Sequence, residues 1–216
     1  THLDPKRDLS EIPALVEEAR AALGPITILV NNAAFTAPGR PGAPAKPVAG
    51  QRAESQGTKD AAWPGFLSVP LAAYRRHFEI GPFAAYELMQ LVAPDMMAAG
   101  HGSIVNVTSV ASRVATLPGY GGSKAALEHL TMCAAVDLRP YNIAVNALAP
   151  SRPIATPGLS YYRSRFASTS PDDEFARAAV QLALIDPGVV TGRTIGHLQV
   201  LDGSYEAFSD IDQAMA

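Results

Sequence analysis

Ser103-Ile-Val-Asn-Val-Thr108 and, twelve positions later, Tyr120-Gly-Gly-Ser-Lys124 decide how this chain folds, with Ser109 between them. The first is a short β-branched run, apolar on both faces, as a parallel strand covered on two sides requires. The second opens a long helical pattern over residues 120–138. If that stretch is helical, Tyr120 and Lys124 stand at i and i+4 and share a face. A phenol titrates near 10 and is a poor acid at neutral pH, but a neighbouring ammonium favours the phenolate. Such a pair would make Tyr120 a usable proton donor and acceptor. Taken alone, a tyrosine and a lysine sharing a helical surface is commonplace. The setting decides it.

Working outward, the strand–helix alternation continues in both directions. Ser10 to Leu23 reads as a helix with an N-cap serine, an early proline at Pro13 and a stop at Gly24-Pro25. Ile26-Thr-Ile-Leu-Val30 and Ile143-Ala-Val-Asn-Ala-Leu148 repeat the buried-strand pattern, and His197-Leu-Gln-Val-Leu201 is expected to be the last strand. Helical segments are expected at about 71–99, 120–138 and 171–185, the last opened by Ser170 as N-cap, Pro171, and the acids Asp172, Asp173 and Glu174. Strands alternating with helices of this length imply parallel βαβ units, hence an α/β, doubly wound, mostly parallel sheet. Residues 1–216 are read as one domain. Residues 36–70 break the rhythm with six prolines and several glycines, and are expected to form a loop over the ligand cleft.

Composition excludes several classes. With 216 residues, 48% apolar and 17% charged, the chain has the make-up of a globular domain. A net charge of −3 gives no reason to expect nucleic acid as partner, and no apolar run approaches a membrane span. The polar N-terminus, Thr1 to Arg7, is not a signal peptide. Cys133 is the only cysteine, so no intrachain disulfide can form and a reducing, cytoplasmic compartment is expected. His2, His77, His101, His129 and His197 show no metal-ligand spacing, so no metal is expected and solvated or core roles are favoured for them.

Chemistry gathers at the strand ends. Asn31-Asn32-Ala33-Ala34 follows the strand at 26–30, Thr108-Ser109 follows that at 103–108, and Ala149-Pro150-Ser151 with Thr156 follows that at 143–148. In a parallel sheet these converge on one carboxyl edge, the edge at which doubly wound sheets bind ligands.

Together, Asn31-Asn32-Ala33-Ala34, Ile104-Val-Asn-Val-Thr-Ser109, Tyr120-Gly-Gly-Ser-Lys124-Ala-Ala-Leu and Val145-Asn-Ala-Leu-Ala-Pro150 strongly resemble the short-chain dehydrogenase/reductase family. The resemblance covers almost the whole chain apart from residues 36–70 and the C-terminal tail. It implies a Rossmann-like fold and hydride transfer between NAD or NADP and an alcohol or ketone. By position it implies that Tyr120 is the acid/base, that Ser109 bonds the substrate oxygen, and that Lys124 lowers the Tyr120 pKa and holds the nicotinamide ribose. It places Asn31 and Ala33 along the cofactor path and Asp4, beside Pro5, at the adenine. Pro150, Ile154 and Thr156 fall at the nicotinamide end. A homodimer or homotetramer pairing through helices 71–99 and 120–138 is likewise implied by the resemblance.

Four departures matter. The family's glycine-rich turn is absent, residues 1–5 looking like the end of the third strand, so the opening βαβ that receives the pyrophosphate is not here. In Phe78-Glu-Ile80-Gly81-Pro-Phe83 the family's catalytic asparagine has no counterpart. Ser109 and Tyr120 are closer than usual, and Pro150 to Thr156 is about one residue longer. Two explanations compete: a truncated relative that cannot hold a dinucleotide, or part of a longer chain. The second is favoured, because a helix shortened by three residues would turn Phe83, Leu88 and Leu91 off the core face. The alternative function, from another class, is a catalytically inactive scaffold or ligand-binding relative that lacks a competent cofactor site.

Overall fold

The computed structural model describes residues 9–35, 66–67, 69–115, 117–156 and 168–207. Four strands form one parallel sheet in the order β1-β2-β3-β4: β1 Ile28–Asn31, β2 Gly102–Val107, β3 Ile143–Ala149 and β4 Thr194–Gly196. The register sets Asn31 opposite Asn106 and Val107 opposite Leu148, so the strands finish along a common carboxyl edge. Each strand returns to its neighbour through helix: α2 Leu71–Phe78 and α3 Ala84–Ala99 after β1, α4 Pro118–Leu138 after β2, and α5 Asp172–Ala183 after β3. Helix α1, Ile12–Leu23, precedes β1, and α6, His197–Leu201, follows β4.

Strand alternation divides the core in two. Ile104, Ile143 and Val145 pack on one face against Ile12 and Val16 of α1, Met89, Val92 and Met96 of α3, and Ala135 of α4. Val105 and Leu148 point to the other face, where Ala178 and Leu182 of α5, Val190, Ile195 and Val200 complete a second cluster. This is the doubly wound, Rossmann-like α/β architecture expected from the alternation. The Arg20 guanidinium of α1 donates to Asp95 of α3 at 2.8 Å and also to the Leu91 carbonyl, and Asp95 accepts from the Ile26 amide as well, tying α1, α3 and the approach to β1 together.

Several local expectations are corrected. Strand β1 is not buried on both faces: Ile28 and Val30 are 44% and 43% exposed, on the face that α5 covers farther along the sheet. Ser10 does not cap α1; it lies in a 3-10 turn, and Glu11 takes the cap position without a side-chain bond to the helix's first amides. Ser170 does not cap α5 either, because Pro171 stands at the cap and Ser170 pairs with Ile154. Residues 197–201 form helix α6, and the strand is 194–196. A five-residue apolar run fits either period, and here His197 and Val200 are buried at helical spacing.

The segment 71–99 is not one helix. A π-turn at Glu79–Phe83 separates α2 from α3, with Gly81 at φ −87°, ψ −105° beside Pro82. Phe83 is 53% exposed, as the shortened helix would require. Leu88 and Leu91 nevertheless pack against the core, so the kink restores the phase that the missing turn would have lost. The loop expected at 36–70 lies outside the described residues except at 66–67 and 69–70.

Candidate active site

The carboxyl edge is organised by polar side chains that reach between elements. Asn31, the last residue of β1, donates from Nδ2 to Asn106 Oδ1 at 2.8 Å. Asn106, fully buried on β2, donates in turn to Thr131 Oγ1 of α4 at 2.9 Å. The expectation that an amide would bridge the strand ends holds for Asn31, whereas Asn32 and Ala33 are exposed at the mouth. Asp4 and Pro5 lie outside the described residues.

Beyond β2 the chain turns through Ser109, whose hydroxyl accepts from the Ala111 amide at 3.2 Å and caps a 3-10 turn over Val110–Ser112. Helix α4 then starts at Pro118, after Leu117 in the left-handed region, and delivers Tyr120 and Lys124 back to this turn. The Ser109 hydroxyl lies close enough to the Tyr120 phenol to act on its ionisation, and Lys124 Nζ stands 5.6 Å from the centre of the Tyr120 ring. Ser109, Tyr120 and Lys124 thus lie near one another at the carboxyl edge.

The electrostatics differ from expectation. Lys124 is 3% exposed, and its Nζ donates to the Val107 carbonyl at 2.7 Å rather than to the phenol. Burial brings the Lys124 ammonium down to about 8, against the opposing pull of the Glu128 carboxylate. Burial also pushes the Tyr120 phenol up, with the nearby Ser109 hydroxyl pulling the other way. Lys124 is not among the groups that shift the Tyr120 phenol in this arrangement, its ammonium being turned toward a backbone carbonyl.

Two residues of the site were missed by the sequence reading. Glu128 accepts from Thr108 Oγ1 at 2.8 Å and Ser112 Oγ at 2.7 Å, and pairs with the Arg113 guanidinium at 3.3 Å. It thereby clamps both sides of the Ser109 turn to α4. Its spacing was the available signal, since Tyr120, Lys124 and Glu128 fall at i, i+4 and i+8. His77 of α2 carried no such signal. It is 5% exposed, with its ring edge-on to Phe35 at 5.0 Å and to Tyr120 at 6.1 Å. The Phe35 backbone favours the charged ring, while Nδ1 has no partner among the described residues. Burial, with the nearby Lys124 charge, holds His77 below its ordinary value and therefore neutral.

The remaining candidates follow β3. Pro150 and Ile154 are half-buried and Thr156 is exposed, and the Thr156 amide donates to the Ile154 carbonyl at 2.7 Å. Among the described residues no group of three His, Cys, Asp or Glu side chains could hold a metal ion, and no helix is long and apolar enough to cross a membrane.

Comparison with known proteins places this geometry in context. The short chain dehydrogenase family model matches residues 2–164. The chain is 35% identical over 142 residues to the 7alpha-hydroxysteroid dehydrogenase of Escherichia coli K12, covering 65% of this chain and 46% of that protein. It is 33% identical over 147 residues to the L-xylulose reductase of Mesocricetus auratus, covering 67% and 50%. The chain thus spans about half the length of the curated relatives it matches. Among solved structures, a 7 alpha-hydroxysteroid dehydrogenase complexed with NADH and 7-oxo glycochenodeoxycholic acid aligns with a TM-score of 0.67 at 28% identity, over 91% of this chain and 71% of that one. A gluconate 5-dehydrogenase from Burkholderia cenocepacia J2315, in complex with NADP and tartrate, aligns at 0.66 with 24% identity, over 88% and 71%, and shares the fold.

Proposed function

Because the chain belongs to the short-chain dehydrogenase family, we propose that it works as an NAD(P)-dependent oxidoreductase on an alcohol/ketone pair, through Ser109, Tyr120 and Lys124. The observation that supports this reading is the meeting of the Ser109 hydroxyl with the Tyr120 phenol above a buried lysine, at the carboxyl edge of a parallel sheet. The Tyr120 hydroxyl gives a proton to a carbonyl oxygen during reduction and takes it back during oxidation. Ser109 supplies the second hydrogen bond that holds that oxygen in line. When bound, the nicotinamide cofactor supplies or accepts the hydride.

The residues present fit the nicotinamide end of such a cofactor. Lys124 is a buried ammonium with one carbonyl partner at Val107, so it has further N–H donors for a sugar diol. Asn31, Pro150, Ile154 and Thr156 would line the remainder of that end, and Asp4 with Pro5 the adenine end. Dimerisation through α3 and α4 is part of the same reading, since Tyr86, Met132 and Val136 stand exposed on these helices. The expected compartment is the cytoplasm.

A second reading is a cofactor-binding relative without turnover. It is favoured by the raised Tyr120 phenol and by the π-turn at Glu79–Phe83, where the family resemblance places an asparagine. Titrating NADH and NADPH against the whole protein, with fluorescence as readout, tests both. Binding followed by ketone-dependent oxidation of the nucleotide supports the enzyme. Binding without oxidation of the nucleotide by any alcohol/ketone pair supports the second reading, and no binding removes both.

A further inference from the structure

His197 lies far along the chain from Tyr120, at the start of α6, and is fully buried. Both of its ring nitrogens are engaged by the segment that leaves β3 and returns to α5. The Ser151 amide donates to Nδ1 at 2.8 Å, and Nε2 lies 3.2 Å from Ser170 Oγ. An amide N–H can only donate, so Nδ1 carries no proton. The neutral ring is then the Nε2–H tautomer, donating to the Ser170 hydroxyl.

The two serines are otherwise held to the same neck. Ser151 Oγ accepts from the Leu198 amide at 3.2 Å and bonds Gln199 Oε1 at 3.0 Å, which docks the residue on the first turn of α6. The Ser170 amide donates to the Pro153 carbonyl, and the Ala155 amide to the Ser170 carbonyl, each at 2.9 Å. Ile154, opposite Ser170 in the resulting bridge, and Thr156, two residues on, are the proposed nicotinamide contacts.

We propose that His197 is a positioning residue that buckles Ser151 to Ser170 and so fixes Ile154 and Thr156 at the cofactor end of the site. The functional part rests on the oxidoreductase reading; the buckle itself does not. Its chemistry makes the neck sensitive to acid. A proton on Nδ1 would face the Ser151 N–H donor, so charging the ring breaks that bond. The charged groups acting on the ring are Glu174 of α5, whose carboxylate favours the imidazolium, and Arg152, which opposes it. The Phe175 ring packs at 5.7 Å, and burial outweighs both charges to keep His197 below its ordinary value. The bond therefore outlasts the pH at which an exposed histidine would charge.

The test has two arms. In the wild-type protein, ring nitrogen shifts in NMR should show the Nε2–H tautomer. Exchange of the Ser151 amide should accelerate at the pH where His197 charges. The Nδ1–H tautomer, or Ser151 exchange indifferent to that titration, overturns the buckle whether or not the protein is an enzyme. In the second arm His197→Asn keeps an acceptor near the Nδ1 position and cannot reach Ser170. It should raise the KM for the nicotinamide nucleotide about tenfold while kcat stays within about twofold, the loss of one buried hydrogen bond and its alignment. A folded variant with wild-type KM overturns the positioning role. If His197→Asn does not fold, Ser170→Ala removes the same bond and is read the same way.

Discussion

Lys124 Nζ donates to the Val107 carbonyl oxygen at 2.7 Å, so the ammonium that the sequence assigns to the tyrosine is held by the last residue of β2. The bond explains how a cation survives at 3% exposure, while burial is what depresses it to about 8 from an ordinary 10.5. Between those values the unfolded chain keeps a proton that the folded chain releases, so stability rises with pH across that window. We predict that Lys124→Met, compared with wild type by urea unfolding without cofactor, loses about 3 kcal/mol of relative stability between pH 8 and 10.5. Parallel curves for the two proteins over that range would show that Lys124 is not depressed.

Tyr120→Phe removes the hydroxyl that lies by Ser109 and leaves the ring beside His77. Turnover should fall by about 10²–10⁴-fold, the usual worth of a positioned acid/base. The nucleotide dissociation constant should stay within about twofold, because the phenol oxygen is a small part of that contact. Retained turnover would take Tyr120 out of the mechanism.

Glu128 holds the turn that presents Ser109. Glu128→Ala strips the Thr108 and Ser112 hydroxyls of their shared acceptor, and Thr108 is buried. The expected cost is about 2 kcal/mol, with a fall in kcat as Ser109 loosens. Glu128→Gln retains the Oε1 acceptor and loses the ion pair with Arg113, itself partly exposed, and should cost under about 1 kcal/mol. Equal melting temperatures for wild type and the alanine variant would show that the turn does not depend on Glu128.

What the sequence made legible was local and periodic. Ile104 and Val105 alternate between two faces, and Tyr120 and Lys124 share a helix face, because strand and helix periods fix both. What it hid depends on contacts across long stretches of chain. Ser170 reads as an N-cap, yet its hydroxyl is taken by His197, 27 residues on. His77 reads as an ordinary core or surface histidine, yet it meets Tyr120, 43 residues away, through a fold no spacing encodes. The π-turn at Gly81 likewise follows from how two helical stretches must both reach the core, which neither stretch states by itself.

Gly119, just before Tyr120, and Gly122, two residues after it, should respond oppositely to the same substitution. A Cβ on Gly119 would stand 2.6 Å from His77 Cδ2, inside the limit of any real contact, and His77 is too buried to swing away. A Cβ on Gly122 would meet Tyr74 Oη at 3.6 Å and Phe78 Cζ at 3.7 Å, both ordinary van der Waals distances. Neither glycine has a positive φ, so alanine strains neither backbone. Gly119→Ala should therefore cost roughly 1–3 kcal/mol by overpacking. Gly122→Ala should add about 1 kcal/mol through helix propensity and a less free unfolded chain. The clash is specific to one ring, so adding His77→Ala to Gly119→Ala should recover most of the loss, beyond the sum of the single changes. Thermal midpoints of the four variants decide it, and additive effects of Gly119→Ala and His77→Ala would place His77 elsewhere than against the turn that carries Tyr120.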